Sequence, residues 1–192
     1  MRIISGTHKG RKIHMPNNLS VRPTTDRAKE SLFNILQNRY AFNNKHVLDL
    51  FAGSGNISYE FFSRGCSSVT SVEINKKCIL FIKNQIKQLN IDINIIHEDA
   101  IKFIEKNNEK YDFIFLDPPY KSKDYNKLKE LILKKKIIKK GGCLVIEHDK
   151  NTSFNDCINS FTFTRIGNDV IYKNNHCIIN FKTGYGNSTN TS

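Results

Sequence analysis

Past residue 45, short apolar runs alternate with amphipathic stretches. Residues 46–51, 68–73, 94–97, 111–116 and 143–147 are brief runs rich in Val, Ile, Leu and Phe. Their length and β-branched content predict five strands. Between them the apolar period lengthens. Residues 57–64, 76–89, 100–105 and 125–140 read as helices. Ile79, Ile82, Ile86 and Leu89 share one face of the second, and Leu128, Leu131, Ile132 and Ile137 one face of the last. Gly65 is a natural stop for the first, and Gly141-Gly142 for the last. Strands that alternate with helices through short connections predict a mostly parallel sheet covered on both faces. Residues 160–166 and 177–182 are β-rich with no helix between them, which predicts an antiparallel pair at the sheet edge. The expected architecture is α/β, with seven strands.

The first 45 residues have a different texture. Residues 1–16 read as two short basic strands around a turn at 6–10 that has Gly at both ends. Pro23 excludes Arg22 from a helix, after which Thr24 or Thr25 can cap one. Ala28, Leu32, Ile35 and Leu36 then fall on one face, and Arg27, Glu30 and Asn34 on another. The expected organisation is a basic hairpin arm over 1–23, one domain over 24–183 and a small, polar, frayed tail over 184–192.

At 192 residues, a single domain with its own core is expected. No apolar run reaches the roughly 20 residues of a membrane helix, and the first residues lack a secretory signal. Five widely spaced cysteines without a Cys-x-x-Cys pair fit neither a zinc site nor a disulfide framework. Free thiols in a reducing cytoplasm are expected, and no metal. The net charge of +12 suggests a polyanionic partner, although the abundance of Lys, Ile and Asn also matches AT-rich codon usage. Placement says more than the total. Four of the seven arginines fall in the first 27 residues, and residues 1–30 carry seven basic against two acidic side chains.

Three groups of residues carry chemistry. The first is Asp49-Leu-Phe51-Ala52-Gly53-Ser54-Gly55, a Gly-rich turn between a strand and its helix that lets a ligand approach the backbone. Ser58 stands where the third glycine of a dinucleotide fingerprint would fall. The second is the pair of acids that end the next two strands. Glu73 suits ribose hydroxyls, and Asp99, followed by Ala100, suits an adenine amine. The third is Asp117-Pro118-Pro119-Tyr120, directly after the most apolar strand. Two prolines remove backbone donors and stiffen the tip. It then presents a carboxylate and a prolyl carbonyl as acceptors beside a flat aromatic ring. Two acceptors that grip an exocyclic NH2 would free its delocalised lone pair.

Together these motifs resemble an S-adenosylmethionine-dependent amino-methyltransferase of the Rossmann-like class I type. The block Arg2-Ile-Ile-Ser-Gly…Lys9-Gly-Arg11-Lys12…Arg22-Pro-Thr-Thr-Asp-Arg27-Ala-Lys-Glu30 narrows this. It is similar to the RsmD family, which methylates guanine N2 in 16S ribosomal RNA. The resemblance covers roughly residues 1–150. It implies cofactor contacts at Asp49, Phe51, Ala52, Gly53, Ser54, Gly55, Glu73, Asp99 and Ala100. It also implies Asp117 to Tyr120 at the target amine, and 16S ribosomal RNA or the assembling small subunit as partner. Arg2, Lys9, Arg11, Lys12, Arg22 and Arg27 are the candidate RNA contacts, with Thr24, Thr25 and Arg27 placed to close over the cofactor. The family often has Phe where Tyr120 stands, and Tyr also occurs in adenine-N6 enzymes. A DNA adenine-N6 or cytosine-N4 methyltransferase, a glutamine-amide methyltransferase and a non-catalytic RNA-binding assembly factor are the alternatives. A cytoplasmic monomer is expected.

Overall fold

The computed structural model describes residues 1–17, 19, 21, 24–119, 125–148, 168–173 and 176–182. Five strands form a parallel sheet: β1 (His46–Leu50), β2 (Ser68–Glu73), β3 (Asn94–His97), β4 (Tyr111–Leu116) and β5 (Ile138–His148). Their order is β3-β2-β1-β4-β5. The chain therefore reverses its direction of travel across the sheet between β1 and β4. Five helices connect or precede them: α1 (Asp26–Gln37), α2 (Asn56–Ser63), α3 (Lys76–Leu89), α4 (Ala100–Lys106) and α5 (Tyr125–Lys134). Beyond β5 the backbone adds β6 (Asn168–Lys173) and β7 (His176–Lys182); β7 runs parallel to β5, and β6 antiparallel to β7. Of the predicted edge pair, 177–182 falls within β7. Residues 160–166, predicted as its first strand, lie outside the described residues.

Alternating strand residues divide the core in two. Val47, Val69, Phe113, Phe115 and Val145 pack with α1, α2 and α3 on one face. Leu48, Leu50, Ile114, Leu116 and Ile146 pack with α4 and α5 on the other. A sheet buried on both faces accounts for the near-continuous apolar runs. No helix among the described residues is long and apolar enough to cross a membrane.

The junction between the last helix and β5 differs most from expectation. The last helix ends at Lys134, not Lys140, and β5 begins at Ile138. Lys136 turns into the left-handed region (φ 54°). Ile137 and Ile138 then enter the sheet, where the Ile137 carbonyl accepts from the Tyr111 N–H at 2.8 Å. A buried Ile fits a helix face and a strand equally well, so periodicity alone misplaced this one. The register slips between Tyr111 and Phe113. There Lys139 reaches back to Asp112 at 2.8 Å.

The N-terminal arm closes through one bridge, Arg2 to Lys12, rather than two full strands. It is fastened to the domain. Ile3 and Ile13 are buried in the same cluster as Phe33 and Phe61. Gly6 lies so close to α2 that a Cβ would fall 1.7 Å from the Ser63 carbonyl oxygen. The Glu60 carboxylate accepts from the Ile4 and Ser5 N–H groups at 2.8 and 3.0 Å. Thr25 caps α1 by accepting from the Ala28 N–H at 3.2 Å.

Candidate active site

In a parallel sheet all carboxyl ends lie on one edge, and ligands bind where strand order reverses. Leu50 pairs with Val72 on one side and Leu116 on the other, and Leu116 pairs with Ile146. Phe51, Glu73, Asp117 and Glu147 therefore leave the sheet side by side, with Asp99 following β3 at the end of the row.

The Gly-rich turn is tightly built. Phe51, Gly53 and Gly55 all have positive φ (64°, 54° and 76°). Gly55 is doubly constrained, because an added Cβ would meet the Tyr59 ring at 2.6 Å. Phe51 is a large residue held in a region that disfavours it, a form of local strain found at functional sites. The sequence placed Phe51 in the turn but did not show its positive φ.

Asp49 lies beneath this turn, almost fully buried. Its Oδ2 accepts from the Ser58 hydroxyl, which is 2.7 Å from the Ser71 hydroxyl. Ser58 thus replaces a glycine's close packing with a hydrogen bond to the acid below. Burial pushes the Asp49 carboxyl up to about 7. The Ser58 hydrogen bond opposes this, while the Glu73 and Glu147 charges add to it.

Glu73 braces the turn from β2. Its Oε2 accepts from the Gly53 N–H at 2.8 Å and its Oε1 from the Asn75 N–H at 2.7 Å. A carboxylate has about four acceptor positions, so each oxygen keeps capacity for a ligand hydroxyl. Asp99 caps α4, and its Oδ1 accepts from the Ile101 and Lys102 N–H groups at 3.0 and 3.1 Å. Ala100 is buried at the first position of that helix. Ile74, which sequence reasoning passed over, directly follows Glu73 and is 60% exposed. One exposed apolar side chain is ordinary by itself; what singles out Ile74 is its place next to Glu73 at the carboxyl edge of the sheet.

Asp117 faces the same space. A small cleft of about 40 Å³ is lined by Val21, Thr24, Asp49, Phe51, Gly53 and Asp117, among others, with Ala52 and Ser54 also on its wall. Pro118 is buried and Pro119 exposed. Burial holds the Asp117 carboxyl well above the usual carboxylate range, reinforced by the charges of Glu147 and then Asp49. Tyr120 lies outside the described residues.

Glu147 is the second residue that sequence reasoning missed. It is buried at the end of β5, and its Oε2 accepts from the Thr24 hydroxyl at 3.0 Å. The Thr24 carbonyl accepts from Asn56 Nδ2 at 2.8 Å, so Thr24 is held at both ends against the cleft. A buried acid at a strand end is the signal that could have found Glu147, but inside an apolar run it reads as the strand's last residue.

Of the basic candidates, Lys9, Arg11 and Lys12 in the arm and Arg27 on α1 are exposed. Arg2 is exposed too, with its Nε 3.6 Å from Asp26. Arg22 lies outside the described residues. Thr24 lines the cleft, whereas Thr25 is occupied in capping and Arg27 is no part of the cleft wall. Cys66, Cys78 and Cys143 are buried and not disulfide-bonded.

The family model described as Conserved hypothetical protein 95 matches residues 1–173. Ribosomal RNA small subunit methyltransferase D of Buchnera aphidicola from Acyrthosiphon pisum is 42% identical over 153 residues, which is 79% of each chain. Its counterpart in Haemophilus influenzae is 31% identical over 156 residues, 79% of this chain and 80% of the other. Among solved structures, the hypothetical protein TTHA0928 of Thermus thermophilus superposes with a TM-score of 0.75 at 24% identity, covering 84% of this chain and 93% of that one. SMU.776, solved in complex with SAH, superposes with a TM-score of 0.51 at 25% identity, over 60% of this chain and 33% of that one.

Proposed function

Because the chain belongs to the RsmD family of ribosomal RNA small subunit methyltransferases, we propose that it transfers a methyl group from S-adenosylmethionine to guanine N2 in 16S ribosomal RNA. The observation that carries this reading is that Asp117 lines one cleft with Asp49, Phe51 and Gly53. The acceptor tip and the Gly-rich turn thus serve a single space.

The residues present fit the cofactor. Glu73 keeps acceptor capacity for ribose hydroxyls, Asp99 Oδ2 for the adenine amine, and Ile74 offers an apolar face for the ring. Asp49, Ala52, Ser54, Gly55 and Ala100 shape the floor and walls. When bound, the cofactor supplies a methyl group already activated on a cationic sulfonium. A cation suits a cleft whose carboxyls repel one another.

Asp117 and the Pro118 carbonyl accept from the two hydrogens of the target amine. Pro118 and Pro119 keep the tip rigid, and Tyr120 stacks on the base. The protein's main contribution is alignment, because the donor needs no further activation. The guanine must leave its stack to reach this cleft. The arm's exposed cations hold the flanking phosphates. The partner is small-subunit RNA, free or in an assembling particle, and the enzyme works in the cytoplasm as a monomer.

Labelled-methyl transfer to small ribosomal subunits lacking the modification, followed by nucleoside analysis, tests this reading. The label is expected in N2-methylguanosine. Label in N6-methyladenosine would overturn the choice of base, and no transfer by a cofactor-binding protein would overturn the activity.

A further inference from the structure

We propose that Glu147 is a positioning residue for the transfer step, acting with Asp117 as a carboxyl pair that receives the proton the amine must lose. This rests on the reading of Asp117 given above.

Transfer forms one N–CH3 bond and breaks one S–CH3 bond, and the bonding pair of the latter stays on sulfur. The amine begins with two hydrogens and ends with one, so one proton leaves the nitrogen. The acceptor must lie at the amine, be ionised at that moment, and pass the proton on. Asp117 is at the tip. Glu147 is the group beside it, because Leu116 and Ile146 are paired in parallel register and the two acids follow them directly. Two carboxyls so placed in a buried setting resist double ionisation and hold one proton between them.

Glu147 also has a mechanical tie. It accepts from the Thr24 hydroxyl at 3.0 Å, and Thr24 is a wall of the cleft. The Thr24 carbonyl leads through Asn56 to Lys29, which donates to Asn56 Oδ1 at 2.7 Å and to the Arg2 carbonyl at 2.6 Å. Glu147 thus joins the amine-gripping tip to the segment that carries the basic arm. The other acid that acts on Asp117 is Asp49 from β1, already engaged with Ser58; Glu73, further along the edge on β2, braces Gly53 and Asn75.

Glu147→Gln removes the charge while keeping an acceptor for Thr24. The acidic limb of kcat/KM against pH is expected to move down by about one unit or more, because Asp117 no longer has a like charge beside it. Thr24→Val removes the tie but not the charge. It should raise KM and leave the limb in place. An unmoved limb in a folded, cofactor-binding Glu147→Gln protein overturns the proposal. Carbon-13 NMR of the wild type with labelled Asp and Glu gives a second readout without any variant. Two separated, shared titration steps support the pair, and independent single steps overturn it. Asp117→Ala distinguishes the layers: near-normal turnover by that variant removes the reading of Asp117 itself, whereas its inactivity together with an unmoved Glu147→Gln limb removes only Glu147.

Discussion

The Lys29 ammonium lies 3.5 Å from the Glu60 carboxylate, and neither side chain is exposed to solvent. Glu60 also accepts from Arg64 Nε at 2.8 Å, and Lys29 donates to Asn56 and to the Arg2 carbonyl. Burial lowers the Lys29 pKa, and Glu60 acts against that shift. This pair is the fastening of the arm to α1 and α2. Breaking one member of a buried pair strands the other and typically costs about 3–5 kcal/mol. Lys29→Met is expected to destabilise by that order, seen as a lower denaturant midpoint with little change in slope. A midpoint within experimental error of wild type would show that the Lys29–Glu60 pair does not fasten the arm.

Asp49 sets a pH dependence of stability. Its folded carboxyl titrates near 7, against an ordinary value of 3.8 for an exposed aspartate. The folded state therefore holds a proton that the unfolded chain has released between those values. Stability falls as pH rises from about 4 to about 7 and levels off above. Asp117 is raised as well and adds in the same direction. Asp49→Asn should flatten part of this fall, measured as unfolding free energy across that range. An unchanged slope would mean that Asp49 is ionised when folded.

Glu73 should report on the cofactor site separately from the chemistry. Its carboxylate holds the Gly53 N–H at 2.8 Å and is buried beside the cleft. Hydrogen bonds to a charged group contribute about 1.5–3 kcal/mol. Glu73→Ala is expected to weaken S-adenosylmethionine binding by roughly 10- to 100-fold in calorimetry. Unchanged affinity would remove Glu73 from the site.

Much of this was legible in the sequence because the signals were local. Strand–helix alternation, the Gly-rich turn, Glu73 at the end of β2 and the Thr25 cap are each set by a few neighbouring residues. What escaped depended on contacts between distant segments. Lys29 reads as a surface cation on a helix until Glu60 and Asn56 arrive from α2 to receive it. Glu147 reads as the end of a strand until Thr24, 123 residues earlier, donates to it. Phe51 reads as strand, yet the turn forces it to positive φ. Ile137 fits two periodicities, and only the pairing of its neighbour Ile138 with Tyr111 decides between them.

The proposed role of the arm in RNA binding is tested by surface substitution rather than deletion. Removing residues 1–15 looks like the direct experiment from the sequence, but Ile3 and Ile13 belong to the core and the Ile4 and Ser5 N–H groups satisfy Glu60. Such a truncation would expose apolar surface and strand a buried charge, so lost RNA binding would say nothing about phosphate contacts. Lys9, Arg11 and Lys12 are exposed, and replacing all three with Ala leaves the core intact. Each phosphate contact contributes about 0.7–0.9 to the slope of log affinity against log salt. The triple variant is therefore expected to bind small-subunit RNA more weakly and with a slope shallower by about 2. Its S-adenosylmethionine affinity and thermal midpoint should stay at wild-type values. A wild-type salt slope would place the RNA on another face of the molecule.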